Sequence, residues 1–341
     1  MHILVIGADS NYAIERPYVR YLREVKGISR VDFFTAQNRF LEYYKKSILH
    51  KVLFRLGLSS ILRKINQDLR DEISRNIPDA ILVFKGMEIF PDTLQWIRAK
   101  GIKIANYNPD NPFIFSGKGS GNKNISESIS LYDLHFTYNL ETKKRLEDEY
   151  GAATSWLPFG YDIEKTLYDE CEKLGEINEL CFVGNPDPDR ASFILELTSF
   201  DIPITVYGHG WNNFINNSKV KIGGFVAGND LWKILRKYRG QINLMRRHNL
   251  DSHNMRTFEV PAIGGIMIAP NTTEHRMFFE DGKEVLLFND AESCAEKARK
   301  LISLSQEDSK RIRDAARERS LASHYSYQHR AELVASELKK L

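Results

Sequence analysis

The chain has 341 residues, 42% of them hydrophobic, and 48 Lys and Arg stand against 45 Asp and Glu for a net charge of +3. That length suits two domains with ordinary cores, and so small a charge excludes the global basic field that dominates nucleic-acid binding. Cys171, Cys181 and Cys294 lie far apart, with no CxxC and no metal-ligand spacing, so they read as buried or incidental thiols of a reducing cytoplasm.

Met1-His-Ile-Leu-Val-Ile-Gly7 enters a strand at once, which leaves no room for a signal peptide. No apolar run approaches the ~20 residues of a membrane span. The expectation is a soluble cytoplasmic protein, at most peripheral to the inner face of a membrane. Strands are predicted at 3–6, 31–34, 80–84, 102–105 and 134–137, then at 179–183, 204–207, 220–222, 241–244 and 266–269, with helical patterns between them. This alternation predicts an α/β fold of mainly parallel sheets. It divides into two Rossmann-like domains, 1–160 and 161–320, facing a central cleft, with a last helical segment in 321–341. Ligands of open α/β sheets bind beyond the carboxyl ends of the strands.

The segment 39–70 departs from that pattern. It carries eight basic residues (Arg39, Lys45, Lys46, Lys51, Arg55, Arg63, Lys64, Arg70) against Glu42 and Asp68, interleaved with Phe40, Tyr43, Tyr44, Leu53, Phe54 and Leu56. One reading is a peripheral contact with an anionic membrane or an acidic acceptor. The other, preferred on the sequence, is a solvated helix whose apolar side packs on the N-terminal sheet.

The first half offers loops rather than motifs. Gly7-Ala-Asp-Ser10 follows the first strand without a GxGxxG, so a dinucleotide site is poorly supported. Lys85-Gly86 and Asn108-Pro-Asp-Asn-Pro112 follow later strands. Asp9, Asp110 and His135 are the candidates for a base or an acceptor contact, though each taken singly reads more readily as a cap, turn or buried polar residue. Asp110 is favoured.

The second half is richer. Gly184-Asn-Pro-Asp-Pro-Asp-Arg190 links a strand to a helix expected at Ala191. Asp187-Pro-Asp189 spells a DxD triplet, but two prolines point to a turn with Asp189 capping the helix rather than to a cation site with its several oxygen ligands. Tyr207-Gly-His-Gly-Trp211 allows close backbone approach at its glycines. Trp211 reads as a stacking surface or as packing beneath the loop. In Asp251-Ser-His-Asn-Met-Arg-Thr-Phe-Glu259, two carboxylates stand eight positions apart across a loop opening into a helix. Met255, Phe258 and Ala262 share one helical face, Arg256 and Glu259 another. A helix N-terminus near His253, Asn254 and Met255 suits phosphate, and Glu259 one turn on suits a ribose hydroxyl pair or a structural pairing with Arg256.

This segment, running into Val-Pro-Ala-Ile-Gly-Gly265, resembles the donor-binding motif of GT-B glycosyltransferases. With Glu274, Phe278-Phe279 and Gly282-Lys-Glu284 it resembles more closely the CgeB-type (spore maturation) glycosyltransferases, over about residues 178–300. The resemblance implies that Gly184, Asn185 and Arg190 meet the donor diphosphate, with Asn185 where relatives carry a cation and Arg256, or Arg246, compensating. It implies that Tyr207, Gly208, Phe225 and Val226 flank the base. It implies that Asp251, His253, Asn254, Met255, Arg256 and Glu259 hold the diphosphate sugar, with Asp251 one methylene shorter than the usual Glu. It also implies that the last helix crosses back onto the first domain.

The implied activity is transfer of a hexose-type sugar from a nucleoside diphosphate sugar to a glycan, protein or lipid-linked acceptor, as in cell-surface glycan synthesis. Retention of configuration is expected, with no metal and no cofactor; Arg190 and Arg256 stabilise the leaving group, and Asp9 and Asp110 stand on the acceptor side. A nucleotide-sugar epimerase and a non-catalytic nucleotide-sugar-binding protein are the alternatives.

Overall fold

The computed structural model describes residues 1–115, 120–249 and 251–341, with the side chain of His248 also left out. It divides into two compact units, Met1–Pro158 with Tyr327–Leu341, and Phe159–Ser326.

In the first unit, strands β1 (His2–Ile6), β2 (Arg30–Phe34), β3 (Ala80–Phe84), β4 (Lys103–Asn108), β5 (Leu134–Thr137) and β6 (Thr154–Trp156) form one sheet in the order β2-β1-β3-β4-β5-β6. Every pair is parallel. Helices α1 (Glu15–Leu22), α2 (Ala36–Lys45), α3 (Ile48–Arg55), α4 (Ile61–Arg75), α5 (Pro91–Ala99), α6 (Lys123–Ser128) and α7 (Leu140–Tyr150) connect them. β3, Ala-Ile-Leu-Val-Phe, is buried throughout because helices cover both its faces. α4 presents Ile65, Leu69 and Ile73, one turn apart, to Ile81 and Val83. Its Asn66 side chain takes the Phe90 amide at 2.9 Å and gives to the Glu88 carbonyl at 2.9 Å, fixing the loop after β3.

The second unit holds α8 (Lys165–Glu172), β7 (Ile177–Val183), α9 (Pro188–Ser199), β8 (Ile204–Tyr207), β9 (Val220–Gly224), α10 (Gly228–Lys237), β10 (Tyr238–Ile242), α11 (Met255–Ala262), β11 (Met267–Pro270), α12 (Thr273–Phe278), β12 (Leu286–Phe288), α13 (Ala291–Ser303) and α14 (Gln306–Ala322). Its sheet, also parallel, runs β12-β11-β10-β7-β8-β9. The last helix, α15 (Tyr327–Leu338), belongs to the first unit, where Tyr327, Ala331, Val334 and Leu338 join the core with Tyr18 and Leu22 of α1. No described helix is long and apolar enough to cross a membrane.

All ten expected strands are present. β6 and β12 are three-residue edges too short to leave a period in the sequence. β10 lies at 238–242 rather than 241–244, because its first half hides two residues that do not look like strand. Arg239 is buried against Glu176 at 2.5 Å. Gly240 leaves room for Leu180, Leu301 and Ile268, whose side chains any Cβ there would strike.

Candidate functional site

Each sheet has one point where the strand order reverses. In the second unit the chain steps from β7 out to β8 and β9, then returns on the other side of β7 with β10. Loops leaving β7 and β10 therefore diverge and open a crevice, the usual ligand position in such sheets. The two segments singled out in the sequence, Gly184–Arg190 and Asp251–Glu259, leave these two strands.

α9 begins at Pro188, not Ala191, and its cap is Asp187, not Asp189: the Asp187 carboxylate accepts the Arg190 amide at 2.9 Å, and proline suits the first helical position. Arg190 thus stands in the first turn of α9. Its guanidinium gives to the Asn185 carbonyl at 3.0 Å and to the Leu244 carbonyl at 2.8 Å, bridging the loops that follow β7 and β10. Burial pulls its pKa down to about 10, Asp187 opposes this, and the positive charges of Arg246 and Arg256 pull the same way. It remains charged at neutral pH.

Asn185 spends its side-chain oxygen on the His209 amide at 3.0 Å, fastening the loop after β7 to that after β8. Gly208 passes so close that a Cβ would strike the Gly184 carbonyl, and its φ of 147° favours glycine in any case. Trp211 packs beneath the loop, fully buried, with its indole N–H on the Gly184 carbonyl at 2.9 Å. Tyr207 is held below Gly223 by the Tyr238 hydroxyl at 2.9 Å. Above these, the exposed Phe225 stacks on His209 with ring centroids 4.3 Å apart and planes within 8°. The half-buried Val226 follows. Together they form an aromatic platform at the loop ends.

At the start of α11, the Asn254 amide gives to Thr257 Oγ1 at 3.2 Å, and its side chain reaches Asn243 Oδ1 at 2.7 Å. Thr257 Oγ1 also takes Asn243 Nδ2 and gives to His275 Nε2 at 3.0 Å, while His275 Nδ1 gives to the Pro270 carbonyl. Burial pushes the His275 pKa down to about 4, so the ring is neutral and this polarity of bonding is fixed. The amides of Met255 and Arg256, first in the helix, meet no acceptor among the described residues. Arg256 pairs with Glu259 one turn on, and its Nε meets no acceptor. Glu259 is buried, with 6% of its surface exposed. Arg246 is exposed and makes no ion pair with any described residue.

Two residues of the loop do something else. Asp251 takes the Thr273 amide at 2.7 Å, at the first residue of α12. The His253 ring is fully buried: Nε2 accepts the Phe159 amide at 3.2 Å, so Nδ1 carries the proton and gives it to Glu274, which also takes the Ser252 hydroxyl at 2.7 Å. His253 therefore offers a ligand its main chain, not its ring.

In the first unit the strand order reverses between β1 and β3. There Asp110 pairs with Lys85 at 2.6 Å, and Asp9 with Arg16 at 3.3 Å. His135 is buried on β5, its ring Nε2–H giving to the Ile129 carbonyl at 2.8 Å, and burial lowers its pKa. It is an interior residue. Two carboxylates absent from the sequence reading sit here. Glu15 takes the Ala8 amide at 3.0 Å, and burial raises its pKa. Glu88, in the loop after β3, is raised to about 7 by burial, with Lys85 opposing and Glu15 assisting. Nothing in Lys85-Gly-Met-Glu88 marked it; only the reversal of strand order does.

Glu88 makes a pH-dependent contribution to stability. The unfolded chain releases its proton near 4.5 and the folded chain near 7, so stability falls between those values as pH rises. By pH 8 the cost approaches about 3 kcal/mol. Glu88→Gln carries no charge, so it is expected to match the parent in acid and exceed it at pH 8 in urea melts. Parallel stability curves for the two proteins across this range would refute the assignment.

The architecture just described, two Rossmann-like units with parallel six-stranded sheets, is that of the GT-B fold. The glycosyl transferase-like family model matches residues 190–336, a stretch that contains Arg190, Arg246, Arg256 and Glu259. No curated protein matches the chain. Similar solved structures include sucrose-phosphate synthase from Thermosynechococcus elongatus, with 11% identity, TM-score 0.68 and coverage of 100% of this chain and 98% of that one. Anabaena HepE in complex with UDP-glucose has 13% identity, TM-score 0.66 and full coverage of both chains. A putative UDP-N-acetylglucosamine 2-epimerase from Listeria monocytogenes has 14% identity, TM-score 0.59 and coverage of 99% and 95%.

Proposed function

We propose that this chain is a glycosyltransferase of the CgeB type, transferring a hexose-type sugar from a nucleoside diphosphate sugar to a glycan, protein or lipid-linked acceptor in the cytoplasm. One observation carries the reading: Arg190, bridging the loops after β7 and β10, feels the positive charges of both Arg246 and Arg256, and Arg256 stands in the first turn of α11 with its open amides. Such an arrangement costs free energy until an anion enters, and a diphosphate supplies the charge. The Phe225–His209 platform is suited to a nucleobase, and Glu259, one turn into α11, to its ribose. Similarity to a HepE structure holding UDP-glucose supports a uridine donor.

As the glycosidic bond breaks, negative charge grows on the leaving diphosphate. Arginines and helix amides meet it without reorganising, work that a metal does elsewhere. Asp187, the first carboxylate of the DxD triplet, is occupied as the cap of α9. Retention of configuration rests on the resemblance in the sequence alone.

A thermal-shift panel of UDP, GDP, CMP and dTDP compounds, with and without Mg²⁺, tests the reading. Ligand at 100 times its Kd is expected to add about 2.7 kcal/mol of apparent stability. Glu259→Gln is expected to weaken the nucleotide about tenfold, since one hydrogen bond from ribose to a charged acceptor is worth about 1.5 kcal/mol or more. Undiminished affinity in that variant would remove Glu259 from the site, and a shift requiring Mg²⁺ would overturn metal independence. An epimerase is the second reading, favoured by the similar Listeria structure. Donor alone distinguishes them: a new sugar isomer marks the epimerase, slow hydrolysis the transferase.

A further inference from the structure

The crossover from β2 to β3 needs one helix, and α4 supplies it, burying Ile65, Leu69 and Ile73 in the core. α2 and α3 are thus an addition. α3 buries none of its residues, and Ser47 caps it by accepting the His50 amide at 3.3 Å. Its inner side is held by rings: Phe54 meets Phe40 at 4.8 Å and Tyr44 at 5.8 Å, and His50 meets Tyr43 at 4.7 Å. The preferred sequence reading, an apolar side packed on the sheet, accounts for α4 but not for α3.

The outer side of α3 is aliphatic. Ile48 is 79% exposed, Leu49 63%, Val52 41% and Leu56 66%, at spacings that share one helical face, and Leu58 just beyond is 71% exposed. Its rim is basic. Lys45 and Lys46, at the turn between the helices, are exposed and make no ion pair with any described residue, and Lys51 and Arg55 flank the same face. Glu42 is the one acidic residue in 36–58, and of the basic residues there only Arg39 forms an ion pair with a described residue, Asp68 at 2.9 Å. A contiguous aliphatic face is unusual on a soluble surface. This one has no aromatic anchor or polar group of its own to fix a shaped protein partner, and its charge complements an anionic plane.

We propose that the α2–α3 hairpin seats the first unit on an anionic lipid bilayer, with the aliphatic face of α3 at the boundary of headgroup and acyl chain and the flanking lysines among the phosphates. The proposal stands independently of the sugar-nucleotide reading.

The test is flotation of the full chain with vesicles of phosphatidylcholine alone and with about 30 mol% phosphatidylglycerol, an anionic surface of physiological order. At least a tenfold preference for the anionic vesicles is expected, falling as salt shortens the screening length from about 10 Å. Leu49→Asp with Leu56→Asp is expected to abolish flotation with the unfolding midpoint unchanged, because both side chains are exposed. Lys45→Glu with Lys46→Glu is expected to remove the lipid preference. Failure of the parent to float, equal flotation with neutral vesicles, or a dimer that the Asp variant dissociates without any flotation would each overturn the proposal, the last by assigning the face to a second copy of the chain.

Discussion

Arg190→Ala is expected to lower kcat/KM for sugar transfer by about 10²–10³-fold, the cost of removing one charged donor from a developing oxyanion, about 3–4 kcal/mol. Two features of Arg190 argue for so large an effect. It is largely buried yet charged at neutral pH, with its pKa drawn down only to about 10, and a charge held in low dielectric acts more strongly than one in water. It also ties the loops after β7 and β10 through the Asn185 and Leu244 carbonyls, so the positions of Arg246 and the α11 amides depend on it. Arg190→Lys keeps the charge but not the fork that spans two carbonyls, and is expected to recover only part of the loss. Urea melts separate the structural share from the catalytic one. Stability lost by both Ala and Lys belongs to the bridge; activity lost by Ala and recovered by Lys belongs to the charge at the phosphate. If Arg190→Ala bound UDP and turned over sugar as the parent does, the phosphate site would lie elsewhere.

How far the sequence discloses this site depends on the kind of signal each residue leaves. Strands and their alternation with helices are periodic, and so is the aliphatic face of α4, which is why the architecture was legible. Loops that follow strands could be named as well, since glycine and proline punctuate them. What could not be read is which side chains those loops spend on themselves. Asn185 and Asp251 look like ligand groups in sequence, but one holds the His209 amide and the other the Thr273 amide. His253 was named for the main chain at a helix start, and nothing in the sequence marks its ring as an interior one. Glu88 and Glu15 left no signal, because their burial follows from the reversal of strand order at β1 and β3, a property of topology rather than of neighbours in the chain. The two sequence readings of the basic segment 39–70 were posed for one helix, whereas it holds three elements, of which α4 fits the packed reading and α3 stands off.

The interior role of His253 yields the second large effect. His253→Ala is expected to cost about 3–5 kcal/mol of folding stability, the range found when one partner of a buried charged hydrogen bond is removed. The ring lies among Phe159, Phe258 and Phe278, with centroids at 5.7, 5.3 and 5.1 Å, so its loss also opens a cavity in a close-packed aromatic cluster. Glu274 would keep the Ser252 hydroxyl at 2.7 Å but lose its imidazole donor, and the Phe159 amide would lose the acceptor at 3.2 Å. His253→Asn places an amide donor near the former Nδ1 and leaves the Nε2 position empty. It is therefore expected to restore the contact to Glu274, and with it about 2 kcal/mol of the lost stability. The loop 251–254 leads directly into α11, so loosening it disorders the amides of Met255 and Arg256, and nucleotide affinity in the Ala variant should fall with stability and return with it in the Asn variant. A residue that touched the donor with its ring would behave differently, losing affinity in both variants regardless of how stably each folds. Urea denaturation and nucleotide titration on the same three proteins distinguish the two patterns, and a stability loss below about 1 kcal/mol in His253→Ala would contradict the buried pairing itself.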